Sequence, residues 1–119
     1  MDLVFVETHG FTAALPEYFE DDESYRAFQD HLLQNPTAGS VMRGCGGLRK
    51  IRWHDSRRGK GKRGGLRLIY LYFPDLAMLG LVDVYGKNES EDLSASQRGV
   101  LSRIADGLRR DLEERRCKR

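Results

Sequence analysis

Leu66-Arg67-Leu68-Ile69-Tyr70-Leu71-Tyr72-Phe73, then Pro74-Asp75, then Met78 to Tyr85, reads as a β-rich run, a turn and a second β-rich run. Aliphatic and aromatic residues fill both runs, and Pro-Asp suits the turn between them. Alternation along the first run sets Leu66, Leu68, Tyr70 and Tyr72 on one face. The other face holds Arg67, Ile69, Leu71 and Phe73, so one cation stands in an otherwise apolar row. Upstream, Leu48-Arg49-Lys50-Ile51-Arg52-Trp53 reads as a strand with a mixed face, followed by a polar loop over Asp55 to Gly65. Three consecutive strands with short turns make an antiparallel meander.

Helical patterns flank the meander. After a short opening strand, Leu3 to Val6, the residues Phe11, Leu15 and Tyr18 or Phe19 recur at helical spacing, with Pro16 restricting where that helix can begin. Asp21 and Asp22 are placed to cap a second helix, whose stripe is Tyr25, Phe28 and Leu32 and whose stop is Asn35-Pro36. Gly39 to Gly47 is a turn-rich connection. Near the C-terminus, Ser94 with Gln97 forms a capping-box pattern ahead of a helix with the stripe Leu101, Ile104, Leu108 and Leu112. The expected fold is α+β over a single domain, residues 1–119: N-terminal helices, a curved antiparallel sheet and a C-terminal helix.

Composition narrows the function classes. No apolar run approaches the roughly 18 residues of a membrane span, and Met1-Asp2-Leu3-Val4 is not the basic-then-apolar opening of a secretory signal. Cys45 and Cys117 lie far apart, with neither a disulfide framework nor metal-ligand spacing. A cytoplasmic protein with reduced thiols, no metal and no cofactor is expected. Net charge is only +2, but its distribution is uneven. Met1 to Met42 carries eight acids against Arg26, a net −7, whereas Arg43 to Phe73 carries ten bases against Asp55, a net +9. A segment of that polarity attracts polyanions, of which nucleic acid is the commonest inside cells.

The basic segment is also glycine-rich: Gly44-Cys45-Gly46-Gly47-Leu48-Arg49-Lys50-Ile51-Arg52-Trp53, then Gly59-Lys60-Gly61-Lys62-Arg63-Gly64-Gly65. Glycine permits close backbone approach, so such a stretch can bring cations and free amides to a phosphate chain. Gly59, Gly61 and Gly64 match the spacing of the dinucleotide fingerprint, but that motif must open a helix and this one opens a strand. The Walker phosphate loop fails too, since no Lys-Ser or Lys-Thr pair follows the glycines. His9 and His31 read as surface residues. His54 sits beside the basic loop without an evident partner, and Trp53, ending a strand, reads as core before it reads as a base-stacking residue.

Three motifs taken together, Gly-x-Gly-Gly-Leu-Arg-Lys-Ile-Arg from Gly44, Gly-Lys-Gly-Lys-Arg-Gly-Gly-x-Arg-x-Ile-Tyr from Gly59, and Tyr85-Gly86-Lys87-Asn88-Glu89, resemble the HigB-like branch of RelE-type toxins. The acidic helix start Asp22-Glu23-Ser24-Tyr25-Arg26 and the stop at Asn35-Pro36 fit as well, so the resemblance spans nearly the whole chain. It implies a toxin paired with a cognate antitoxin, cutting mRNA on the ribosome and so inhibiting translation. Any contact with operator DNA would come only through the antitoxin. The implied reaction is attack of the RNA 2′-hydroxyl on the adjacent phosphorus, leaving a cyclic phosphate and a 5′-hydroxyl. That reaction needs a base, an acid and positive charge for the crowded phosphate oxygens.

By the same resemblance, Lys60 or Lys62 is the base, Arg67 the phosphate clamp, and Lys87 lies beside the cleft. Neighbouring cations can lower a lysine's pKa far enough for base work. Arg49, Lys50, Arg52 and Arg63 are expected to position phosphates, with Tyr70 also contacting RNA. Two departures from some RelE-type toxins leave the acid open. Asn88 stands where an arginine follows the lysine, and Leu93 stands near the position of a tyrosine, so Tyr70, Tyr72 and Tyr85 are provisional acids. Two rivals stay open: a ParE-like toxin that binds a topoisomerase without cutting RNA, and a basic RNA-binding module without catalysis.

Overall fold

The structure, a computed structural model, describes residues 3–55, 61–86 and 94–117. Along the chain run β1 (Val4–Glu7), α1 (His9–Tyr18), α2 (Asp22–Gln34), β2 (Ser40–Val41), β3 (Arg49–Asp55), β4 (Gly61–Phe73), β5 (Met78–Gly86) and α3 (Ala95–Cys117). The five strands form one sheet in the order β1-β5-β4-β3-β2. The class is α+β, and β3, β4 and β5 pair antiparallel, as expected of three consecutive strands joined in a meander. The sheet as a whole is mixed, however, because β1 pairs parallel with β5, from Val4 opposite Met78 to Glu7 opposite Leu81. A meander leaves the outer edge of its last strand bare, and β1 satisfies that edge's backbone groups.

Each helix start follows from local chemistry. Asp21 caps α2, accepting from the Ser24 amide at 2.8 Å while the Ser24 hydroxyl lies 3.4 Å from the Asp21 amide. Ser94 and Gln97 do the same for α3 at 2.8 and 3.1 Å. Thr8 caps α1, which begins at His9 and so confines Pro16 to its last turn, where the missing amide costs one intrahelical bond. At the end of β1 the Glu7 carboxylate accepts from Thr12 at 2.7 Å and from the Tyr25 hydroxyl at 2.6 Å, tying the strand to both N-terminal helices. Burial, then the Glu7 carboxylate, pushes the Tyr25 phenol well above its ordinary pKa, which keeps it a donor.

The sheet separates two apolar cores. On one face, Phe11, Tyr18, Phe19, Phe28 and Leu32 of α1, α2 and their link pack against Ile51, Leu66, Leu68, Tyr70, Leu79, Leu81 and Val84. On the other, α3 packs Ala105 and Leu112 over Leu48, Ile69, Leu71, Phe73 and Met78. The buried stripe of α3 is thus Leu101, Ala105, Leu108 and Leu112, and Ile104, expected inside, is 40% exposed. The 42–48 turn explains the rotation: a Cβ on Gly46 would lie 3.1 Å from the Ala105 methyl, so that turn seats the Ala105 side of the helix against the sheet. Arg109 stacks 4.6 Å over the Phe73 ring and meets Asp75 at 3.6 Å, fixing the far end of α3.

Two irregularities shape the sheet. β4 starts at Gly61, so residues expected in the polar loop belong to the ladder. Between the pairs Trp53–Leu66 and Asp55–Gly61, His54 alone on β3 lies opposite Lys62, Arg63, Gly64 and Gly65 on β4. Gly65 makes the turn-in possible: its φ is +43°, and a Cβ there would sit 2.4 Å from the Trp53 carbonyl oxygen. The second irregularity is a bulge in β5, where Ile69 pairs with Asp83 but Tyr70 pairs with Leu81, leaving Val82 as the extra residue. Its polar groups are satisfied locally. The Thr8 hydroxyl donates to the Val82 carbonyl at 3.0 Å, and the Val84 amide donates to the Asp83 carboxylate at 2.9 Å.

Candidate nucleic-acid interface

The bulge at Val82 decides which side chains meet Arg67. Leu79 and Leu81 point into the core under α1 and α2. Unbroken alternation would send Asp83 and Tyr85 after them. One extra residue reverses the phase, so Val84 takes the core position while Val82, Asp83 and Tyr85 fall on the α3 face. Register then aligns a row across three strands: Arg52 on β3, Arg67 on β4 and Tyr85 on β5. The next row is Lys50, Ile69 and Asp83. Directly opposed residues in a ladder have Cβ atoms about 4.5–5.5 Å apart, so one phosphate group could touch neighbouring members of the first row.

Exposure changes along this face. Leu71 and Phe73 are buried towards α3, whereas Lys50, Arg52 and Asp83 are exposed and Arg67 and Tyr85 half-buried. Arg67 Nη1 lies 3.4 Å from the Leu66 carbonyl oxygen. With Arg52 directly opposite Arg67, the two guanidiniums present their positive charge together on this face. The arrangement supplies two guanidiniums for phosphate oxygens and one phenol that can give or take a proton. Among the described residues no cluster of His, Cys, Asp and Glu could hold a metal ion. No helix among them is long and apolar enough to cross a membrane.

The expected site residues do not all gather here. Lys50, Arg52 and Arg67 share the face. Arg49 points to the opposite side, where its Nη1 donates to the Gly39 carbonyl at 2.7 Å and the Thr37 carbonyl at 3.3 Å, strapping the link after α2 to β3. Lys60 and Lys87 lie outside the described residues, and of Lys62 and Arg63 only the backbone, within β4, is described. Of the three tyrosines considered as acids, Tyr72 packs with the core under α1 and α2, leaving Tyr85 as the one on the Arg67 face.

Tyr70 corrects an expectation. It is fully buried, its hydroxyl donating to the Pro36 carbonyl at 2.8 Å and accepting from the Gly39 amide at 2.9 Å. A ring without exposed surface cannot touch RNA, so Tyr70 belongs to the framework. Gly39 fits around it: a Cβ at Gly39 would lie 2.9 Å from the Tyr70 ring. Burial raises the phenol's pKa, against the lowering pull of the Gly39 amide and the Arg49 charge. Tyr70→Phe should therefore strand the Gly39 amide and lower stability by about 1–3 kcal/mol in urea unfolding, without changing activity per folded molecule. Because the native phenol titrates above its ordinary 10.0, the wild type should also lose stability as pH rises beyond that value, and the variant should lose less.

Trp53 lies outside the Arg67 row, on the α2 side of β3, in edge-on contact with Phe28 at 5.3 Å. His54, without an evident partner in the sequence, has its ring 5.0 Å from Trp53. No protein-family model matches the chain.

Proposed function

We propose that this chain is the toxin of a toxin–antitoxin pair, an endoribonuclease that cuts mRNA on the ribosome by 2′-hydroxyl attack. The observation that supports this best is the Arg52–Arg67–Tyr85 row, two opposed cations and a phenol on the exposed half of one sheet face. It offers what the reaction needs at the phosphate and the leaving oxygen. Arg67 clamps the non-bridging oxygens as the crowded phosphorus forms. Arg52 and Lys50 hold flanking phosphates and supply salt-dependent affinity. Tyr85 delivers a proton to the departing 5′-oxygen as the P–O5′ bond breaks. A base takes the 2′-hydroxyl proton as the new P–O bond closes the cyclic phosphate, and the resemblance of the basic segment assigns that role to Lys60 or Lys62, with Lys87 nearby.

On this reading the partners are mRNA, the ribosome and a cognate antitoxin, in the cytoplasm. The acidic residues from Glu17 to Glu23 repel RNA and leave that part of the N-terminal third to the antitoxin. The test is mRNA cleavage in a purified translation system, mapped by primer extension with and without ribosomes. Cuts that require ribosomes are expected. Cuts without them would make the chain a free ribonuclease. A chain that arrests growth but never cuts would be a toxin of another target, such as a topoisomerase. RNA retention with neither cleavage nor growth arrest would leave a binding module.

A further inference from the structure

Three rings from two elements converge at the end of β3. Around Trp53, His31 of α2 lies 5.2 Å away with planes tilted by 49°, and His54 of β3 lies 5.0 Å away, tilted by 31°. Phe28 anchors the indole from below at 70°, so the cluster grades from a fully buried ring to two exposed imidazoles. An exposed aromatic pair adds only about 0.5–1.5 kcal/mol beyond its burial, so folding alone gives little reason to lay two histidines against the indole at the surface. The surroundings suggest a ligand. Exposed Arg52 is the chain neighbour of Trp53 on the opposite face, and Lys50 follows it there. β2 pairs only with Arg49 and Lys50, so among the described residues the β3 edge from Ile51 onward carries no strand. A polyanion held by the cations can cross that bare edge and reach the rings.

We propose that His31, Trp53 and His54 form a stacking ledge for a nucleobase of single-stranded RNA, beside the phosphates held by Arg52 and Arg67. This rests on the RNA reading above and adds a base subsite to it. Cations tracking the backbone beside rings that accept any base's π-face are the usual means of gripping single strands, and they fit a protein that takes its substrate unpaired. Because stacking is sequence-tolerant, the ledge supplies affinity and placement rather than base identity.

Trp53 is the chain's single tryptophan, so its emission reports on the ledge directly. The full chain is titrated with a 2′-O-methyl oligoadenylate about ten nucleotides long, which cannot undergo the cleavage reaction, and with an abasic strand of the same length. The base-bearing strand should quench Trp53 and bind about 5- to 150-fold more tightly than the abasic one, as expected for one stacked base. His31→Ala with His54→Ala, both at exposed positions, should reduce that preference, and Trp53→Phe should keep the packing on Phe28 and part of the preference. Equal binding of the two strands with unchanged emission would overturn the ledge while leaving phosphate binding and the nuclease reading intact. So would a preference untouched by the double histidine change. Binding of neither strand at low salt would overturn the ledge and the basic-face reading together. Cleavage does not enter the measurement, so failure of the chemistry is seen separately.

Discussion

Arg67→Ala should slow ribosome-dependent mRNA cleavage by about 10²–10³-fold, the loss seen when one preorganised donor to a developing oxyanion is removed. The fold should survive, because Arg67 is half-buried in β4 and its neighbours in the two cores are aliphatic and aromatic side chains held by their own packing. Arg67→Lys keeps the charge but loses the planar fork, so an intermediate rate is expected. The kinetic signature separates Arg67 from its neighbours. A residue that acts on the transition state lowers kcat, whereas Lys50→Ala and Arg52→Ala should act mainly through KM and flatten the salt dependence. Single-turnover cleavage with circular dichroism on the same samples decides the matter. Full activity in a folded Arg67→Ala protein would move the chemistry off this face.

The sequence already carried much of the fold, because its signals there are local. The Asp21 and Ser94 caps, the Asn35-Pro36 stop and the alternation of Leu66 to Phe73 each depend on residues a few positions apart, and the structure keeps all of them. Arg67 was singled out by the resemblance of its motif, and alternation marked it independently as a cation in an apolar row. What stayed hidden depends on contacts distant in the chain. The parallel pairing of β1 with β5 joins residues about seventy positions apart. The outward turn of Ile104 follows from the tight approach of Gly46, and the burial of Tyr70 from a Gly39 that only its fit around the ring explains. Arg49 and Lys50, adjacent in a cationic run, look equivalent in sequence. Strand geometry sends them to opposite faces, one to bind carbonyls and the other to solvent.

Tyr85→Phe should cost cleavage about 10²–10⁴-fold, the range for removing a general acid, with RNA affinity and stability close to those of the native chain. The sequence held a clue to Tyr85. In Leu79-Gly80-Leu81-Val82-Asp83-Val84-Tyr85, strict alternation from Leu79 would bury the Asp83 carboxylate among leucines, at a cost of several kcal/mol. Two apolar residues in succession, Leu81 and Val82, offer the escape, and the bulge takes it, turning Asp83 out to solvent and Tyr85 towards Arg67. Tyr85, the acid proposed above, is therefore placed by a backbone irregularity that the Thr8 hydroxyl and the Asp83 carboxylate hold in shape, not by a motif. If Tyr85 gives up the proton, its loss should matter most where the leaving group is poor. A substrate with a sulfur in place of the bridging 5′-oxygen leaves without protonation, so it should be cut almost equally well by native and Tyr85→Phe chains, while remaining sensitive to Arg67→Ala. A Tyr85→Phe defect of the same size on both substrates would assign the phenol to positioning and return the search for the acid to residues beyond this row.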